Sequence, residues 1–569
     1  MEKRFFLVFA LFFLIILASQ PLLKKYLPKP AEPAPQAQNV PAPAVMPQDT
    51  ASPSTFVPGP STPASGTHAS SETETVVEND LYRITFTNRG GQVKSWILKK
   101  FTDDKEQPLE LVNKTAAEKF GYPLSLWAYD ETLRNKLNGA LYVSSGRSPL
   151  AIPGALTFEY SDSGLTVRKK FEFDSTYVVK VETSVTSQGA YVSALPMWPA
   201  GFGDETNLPA YAAAQIVYQN DAKVERLQLK KISGGATVSG PFQWAGIVDQ
   251  YFTAVFLPDD PQSSVLVTLR NQLDVPKDFK NPNPKETTKV DVLGAAVGNL
   301  KGPTEQRLFV GPKALDVLES IPVPKINGEA PDLHGIVDFG WLGLIAKPLF
   351  LWLKWTHDHI VPNWGWAIVI QTLIINLALL PLRLSQMKSM LKMQRIAPQV
   401  KSIQEKYKKY SMRDPRKQDM NQEVSALYKE HGVNPAGGCL PLIVQMPFLF
   451  AYYRMLGVAL DLRHAHWLWI KDLSSPDPYH ILPIAIVITM LFMQRMTPQA
   501  GMDPQQQKMM NIFMPLMLGY ISFNLAAGLC LYWSEGNLIA IVQQSIMNRT
   551  ELGREMRELA EKRARKKDK

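Results

Sequence analysis

Gln371, Asn376 and Arg383 are the residues whose chemistry asks for an explanation. All three fall within Trp364 to Leu384, a run of about twenty mostly apolar residues, long enough to cross a bilayer as a helix. A polar side chain facing lipid is costly, so such residues turn toward a helix bundle or a wet cavity. Asn376 and Arg383 lie seven residues apart, two helical turns or about 10 Å, and share a face, with Arg383 nearer the end marked by Pro381. What such a stripe offers is solvation of polar matter inside hydrocarbon. The expectation is a membrane groove built around it, with the remaining segments anchoring or covering it.

Other residue types that could do chemistry are poorly arranged. Asp204, Glu205 and Asp249 could pair as acid and base, but scattered loop carboxylates are expected to be solvated. His357-Asp358-His359 offers two imidazoles around one acid with no fourth ligand nearby, which reads as a polar junction rather than a metal site. No P-loop, metal cluster or nucleophile constellation is present, so no cofactor and no enzymatic reaction are expected. Cys439 and Cys530, the only cysteines, both lie in apolar runs and form no disulfide framework.

The elements that must position the stripe follow in order. Residues 1–22 hold an apolar run from Phe5 to Ala18 behind a short charged start, and Leu17-Ala18-Ser19-Gln20-Pro21 is a poor cleavage site, so an uncut membrane anchor is expected. Residues 23–75 are rich in Pro, Ala, Ser and Thr, a composition that forms a tether rather than a fold. From 76 to 325 the texture is that of strands. Leu81, Arg83 and Thr85 alternate with Tyr82, Ile84 and Phe86, Asn88-Arg89-Gly90-Gly91 turns, and further alternating runs recur between Gly, Pro, Asp and Asn. An all-β sandwich or a related fold is expected there. Residues 326–360 are apolar and aromatic but broken by Lys347, Pro348 and Lys354, which suits an interfacial amphipathic helix.

Residues 361–548 contain the opening helix, a polar stretch and four more apolar runs: Gly437–Leu456, Ile481–Met496, Ile512–Ala527 and Leu529–Met547. Within 384–433, apolar positions every three or four residues predict two helices folded on each other around a break at Met412 to Pro415. The net charge of +9 is unevenly placed: basic residues crowd this hairpin and the tail 549–569. By the positive-inside rule both are cytoplasmic, as is the N-terminus, which puts the β domain on the other side. Runs of about sixteen residues are short for a bilayer of about 30 Å, and local membrane thinning is expected.

Asn434-Pro435-Ala436-Gly437-Gly438-Cys439-Leu440-Pro441 continues into LIVQMPFLFAYY; TNRGGQVKSW, LFVGPK, Asp503 to Lys508 and Asn537 to Gln544 accompany it in the expected order. Over nearly its whole length the chain resembles the bacterial YidC-type membrane protein insertases. The resemblance implies a five-span α-helical core with a hydrophilic groove open to lipid and cytoplasm, an uncut N-terminal anchor, a periplasmic β domain similar to sugar-mutarotase supersandwiches, and residence in the bacterial inner membrane. It implies nascent membrane proteins as clients, and the Sec translocon, ribosomes and signal recognition particle as partners. The family usually carries a cation five residues before the proline that is Pro381 here, where this chain has Asn376; Arg383 is expected to substitute in part. Gln445, Asn537 and Gln544 fit groove-facing positions. Glu535 departs from the pattern, and a carboxylate there must be neutral, paired or wet. Met390 and Met393, with Arg413, Arg416, Lys417, Lys566 and Lys567, are candidates for contact with clients or the ribosome.

Two alternatives are a secondary transporter and an envelope scaffold. A transporter should show matching broken helices in two halves, which are not evident here. A scaffold whose β domain binds a sugar or a protein would lose its function with that domain, whereas an insertase should keep much of it.

Overall fold

The computed structural model describes residues 66–558, except 147, 221–222, 280–285, 322–330, 332, 411–413, 433–439, 497–508, 552 and 556–557. The expected anchor, most of the tether, the Asn434 to Cys439 part of the motif, the Asp503 to Lys508 run and the end of the basic tail lie outside the described residues. The chain divides into two compact units, one of Met1–Asp249 with Ala254–Val310 and one of Gln250–Thr253 with Gly311–Lys569.

The first unit is built of three antiparallel sheets of four, ten and five strands. The alternation of Tyr82, Ile84 and Phe86 puts all three in the core from the strand Tyr82–Thr87. That strand pairs with Gln92–Thr102 across the Asn88 to Gly91 turn, where Gly90 and Gly91 adopt φ of 67° and 53°, a region that favours glycine. In the ten-stranded sheet, Gly154–Asp162, Leu165–Phe173, Val178–Ser187 and Thr304–Pro312 are successive neighbours. The five-stranded sheet is dominated by the long pair Ser264–Pro276 and Thr287–Asn299. Strands that the alternation did not single out include Gln215–Asn220 and Trp244–Val248; the latter is buried along its whole length, so it shows no polar face to betray it.

Two polar sites in this unit are withdrawn from water, the first against expectation. Asp204, Glu205 and Asp249 are buried, not solvated. Burial, reinforced by the neighbouring Asp249 charge, holds the Glu205 carboxyl well above the usual range. Lys169 is fully buried, and its ammonium donates to the carbonyls of Gly90, Gly91 and Leu124 at 2.9, 2.7 and 2.6 Å. The glycine turn is therefore held from inside by a cation whose three protons meet three acceptors.

The second unit is helical. Its principal helices are α1 (Gly343–His359), α2 (Trp364–Ala378), α3 (Leu380–Lys406), α4 (Arg416–Glu430), α5 (Leu440–Val458), α6 (Ile481–Met496), α7 (Met514–Ser522) and α8 (Ala527–Arg549). Among the described residues no helix is long and apolar enough to cross a membrane. The expected single helix Trp364 to Leu384 is divided at Leu379, leaving α2 with 15 residues. That is about 22 Å, short of the hydrocarbon core. The division is slight: Leu379 donates to the carbonyl of Ile375 and accepts from the amide of Arg383, and Pro381 sits in the first turn of α3, where its missing N–H is harmless. The run expected as Ile512 to Ala527 is helical only to Ser522, with a π-helical segment Met509–Phe513 leading into the nine-residue α7, and α8, with 23 residues, is diluted by polar side chains.

The helices nonetheless carry exposed apolar stripes at helical spacing. They comprise Leu373 and Leu377 on α2, Ile481, Ile484, Ile488 and Phe492 on α6, and Leu538, Val542 and Ile546 on α8. Apolar residues left exposed at this spacing mark a surface that meets other apolar matter. In α3 and α4, Ile396 and Val400 are buried against Met393, Val424, Leu427 and Tyr428, which closes the two helices on each other.

Candidate functional site: a polar seam among the helices

The seam begins with the entry to α2. The Asn363 side chain accepts from the amide of Trp366 at 3.1 Å and caps the helix, while its own amide donates to the carbonyl of His466. His357, a neighbour in the expected junction, lies 2.8 Å from Asp358 and stacks on Trp364 at 4.0 Å; among the described residues no group of acids, histidines or cysteines could hold a metal.

Helix α2 then directs Gln371, Thr372 and Asn376 inward, all three buried. Their environments differ. Gln371 is sealed: its carbonyl accepts from the Tyr452 hydroxyl at 2.7 Å and its amide donates to the carbonyl of Leu349 at 2.9 Å, so it joins α2 to α5 and α1. Both ends of its amide thus hold partners on other helices, a setting unlike that of Asn376. Asn376 instead meets Arg383. The Arg383 guanidinium donates to Asn376 Oδ1 at 2.9 Å and to Gln543 Oε1 at 2.6 Å, while Gln543 donates back to the backbone carbonyl of Asn376 at 3.3 Å. One cation thus stitches α2, the start of α3 and α8 together, and its charge reaches the depth of Asn376.

Helix α8 passes Asn376 at Gly536, where an added Cβ would stand at ordinary contact distance, 3.9 Å, from Asn376 Nδ2. Around that glycine the chain presents a polar side chain on each side. Asn537 is half-buried and donates to Thr489 Oγ1 of α6 at 3.1 Å. Glu535 is half-buried beside Thr372, and its Oε2, sealed from water, takes no hydrogen bond. Gln544 is buried but turns along its own helix to donate to Asn548 at 2.8 Å. Below these, Tyr452 and Tyr532 stack at 4.1 Å.

Sequence reasoning missed Gln543, Thr372 and Thr489. Gln543 follows Gly536 by seven residues and so shares its helix face, a spacing that was available as a signal. Gln445 stands on α5, but its side chain lies outside the described residues, as do those of Met390 and Lys417; Arg413, Lys566 and Lys567 lie outside them altogether. Met393 is partly buried and packs against Ile396 and Val400 in the α3–α4 cluster. Arg416 pairs with Asp414 at 2.7 Å and covers the Tyr410 ring at 3.8 Å.

A β-rich unit, and a helical unit with a polar seam inside and apolar stripes outside, define a membrane protein with a large extramembrane β domain. The family model described as YidC periplasmic domain matches residues 74–352, and that described as 60Kd inner membrane protein matches residues 355–554. A "Membrane protein insertase YidC" of Geobacter metallireducens is 32% identical over 92% of this chain and 94% of its own length. One of Wolinella succinogenes is 36% identical over 70% of this chain and 67% of its own. A solved structure titled "Active YidC insertase crystal structure with the first transmembrane domain resolved" is 19% identical and covers 85% of this chain and 94% of that one, with a TM-score of 0.35.

The chain belongs to the YidC family of membrane protein insertases. It serves to insert client membrane proteins, and its β domain is periplasmic. Neither the transporter nor the scaffold alternative finds support among these relatives.

Proposed function

We propose that insertion proceeds along the seam formed by Asn376, Arg383 and Gln543, with Asn537 and Glu535 beside it. The observation that carries this reading is the hydrogen-bonded network that holds a guanidinium between α2, α3 and α8, in helices whose other faces expose apolar stripes. A client's polar flank that would otherwise cross bare hydrocarbon, at about 2.5 to 3.5 kcal/mol per central charge, can exchange water for these side chains. Its apolar helix then passes into lipid, and the driving energy comes from that burial. The relatives are named as insertases, and no bond need be made or broken for this work.

In this reading α2 with the first turn of α3, α5, α6, α7 and α8 are the five spans, in a bilayer thinned around them, within the inner membrane. The α3–α4 hairpin and both termini are cytoplasmic, and α1 lies in the interface. The basic hairpin and tail receive ribosomes and signal recognition particle, and the Sec translocon is a partner for larger clients. Photocrosslinkers placed at Asn376, Gln543 and Asn537 should capture a ribosome-bound nascent membrane protein, whereas one at the sealed Gln371 should not. Equal capture at all four, or at none, rejects the seam as the client path.

A further inference from the structure

The only carboxylate in α2, α5, α6, α7 and α8 is Glu535. Buried acceptors are almost always hydrogen-bonded, and a charge inside a membrane bundle normally has a named partner. Glu535 departs from both rules: Oε2 has no water-accessible surface and no donor. The only other charge in the seam is already engaged, since Arg383 donates to Asn376 and Gln543, and no ion pair joins Arg383 to Glu535 among the described residues. The surroundings supply little. Thr372, the hydroxyl within hydrogen-bonding reach of the carboxyl, also directs its one proton to the carbonyl of Ile368 at 2.7 Å, and Tyr452 gives its own to Gln371 at 2.7 Å. Oε2 is therefore an acceptor built into the seam without a donor of its own.

The two charges also stand in a fixed order. Glu535 lies beside Thr372, one turn or about 6 Å from Asn376 on the side away from Arg383. A polar flank that enters from the α3 end meets the guanidinium first and the carboxylate beyond it. We propose that Glu535 is a specificity-determining residue that selects clients whose translocated flank carries a cation: a lysine, an arginine or the client's own terminal ammonium. Such a group brings several N–H donors to an oxygen that lacks one, and a charge-assisted bond of this kind outweighs a neutral one. This inference rests on the seam being the client path.

The test uses the full-length protein in vesicles without a membrane potential. The probe is one single-span client, made in three forms with Lys, Gln or Asp at the same position of its translocated tail. Wild type should insert the Lys form about tenfold faster than the Gln form, and Glu535→Gln should bring that ratio close to one, the worth of one charge-assisted bond. Glu535→Asp should retain part of the preference. A Lys-to-Gln ratio that is the same in wild type and Glu535→Gln overturns the proposal. If a crosslinker at Asn376 still captures the Gln client in that case, the seam stands and only the selectivity fails. If no client is captured there, the seam reading fails, and this inference fails with it.

Discussion

Lys169 in the β domain and Arg383 in the helical unit are both cations withdrawn from water, and they are held in different ways. Lys169 is fully buried, with each ammonium proton on a backbone carbonyl, while Arg383 is half-buried and bonded to two side-chain amides that belong to other helices. Backbone carbonyls cannot leave without unfolding the turn that carries them; side-chain amides can rotate. The first arrangement fixes a fold, and the second can exchange its partners for those of a visitor. The carboxylates repeat the contrast: Glu205 lies in the sealed interior of the β domain, whereas Glu535 lies in the seam with part of its surface open.

Removing the cation that fixes the fold should have the largest effect. Lys169→Met leaves three buried carbonyls without donors, each worth about 1 to 3 kcal/mol, and should lower the stability of the β domain by several kcal/mol in denaturant titrations of the purified full-length protein. Burial pushes the pKa of Lys169 down to about 7 from an ordinary 10.5. Between those values the unfolded chain binds a proton that the folded one does not, so stability rises as pH climbs from 7 to 10.5, and below 7 the full cost of the buried charge is present. Lys169→Met should lack that slope; a variant that melts like wild type at every pH would mean that the turn holds itself.

The matching substitution in the seam should spare stability and cost function. Asn376→Leu combined with Arg383→Leu removes the network, so a client with a charged translocated tail again meets a barrier of about 2.5 to 3.5 kcal/mol, a slowing of roughly a hundredfold. A client with an uncharged tail should be affected much less, and equal slowing of both would reduce the seam to helix packing.

Much of this contrast was legible in the residues. The alternation that buries Tyr82, Ile84 and Phe86, the glycine turn at Gly90 and Gly91, the heptad separation of Asn376 and Arg383, and the apolar positions that close α3 on α4 follow directly from the periods of strand and helix. What stayed hidden depended on contacts between distant segments. Lys169 sits among Arg168, Lys170 and alternating apolar residues, so nothing local separates it from its solvated neighbours. Gln371 resembles Asn376 in type and setting, and only the position of Tyr452 distinguishes glue from groove. The burial of Asp204, Glu205 and Asp249 likewise comes from strands far away in sequence.

A smaller effect, of opposite sign, is expected at Glu205. Its folded carboxyl, raised by burial and by Asp249, keeps a proton that the unfolded chain releases above about 4.5, so wild-type stability should fall as pH rises through the region above that value. Glu205→Gln has no proton to lose and nearly the same shape. It should equal wild type at pH 4 and exceed it increasingly toward neutrality in thermal melts; a constant offset at all pH values would show that the carboxyl is already paired.

The smallest effect tests where the boundary between fold and function runs inside the membrane unit. Gln371 is only five residues from Asn376 and equally buried, yet both ends of its amide are spent on Tyr452 and Leu349. Interhelical hydrogen bonds in membranes are worth about 0.6 kcal/mol on average, because the separated helices find other partners. Gln371→Leu should therefore lower thermal stability in detergent by about that much per lost bond while leaving the insertion rate of charged-tail clients within about twofold of wild type. Should this substitution slow such clients as strongly as the Asn376 and Arg383 pair does, burial and satisfied hydrogen bonding would no longer separate architectural polar residues from those that meet the client. The seam would then extend from Arg383 through Asn376 to Tyr452.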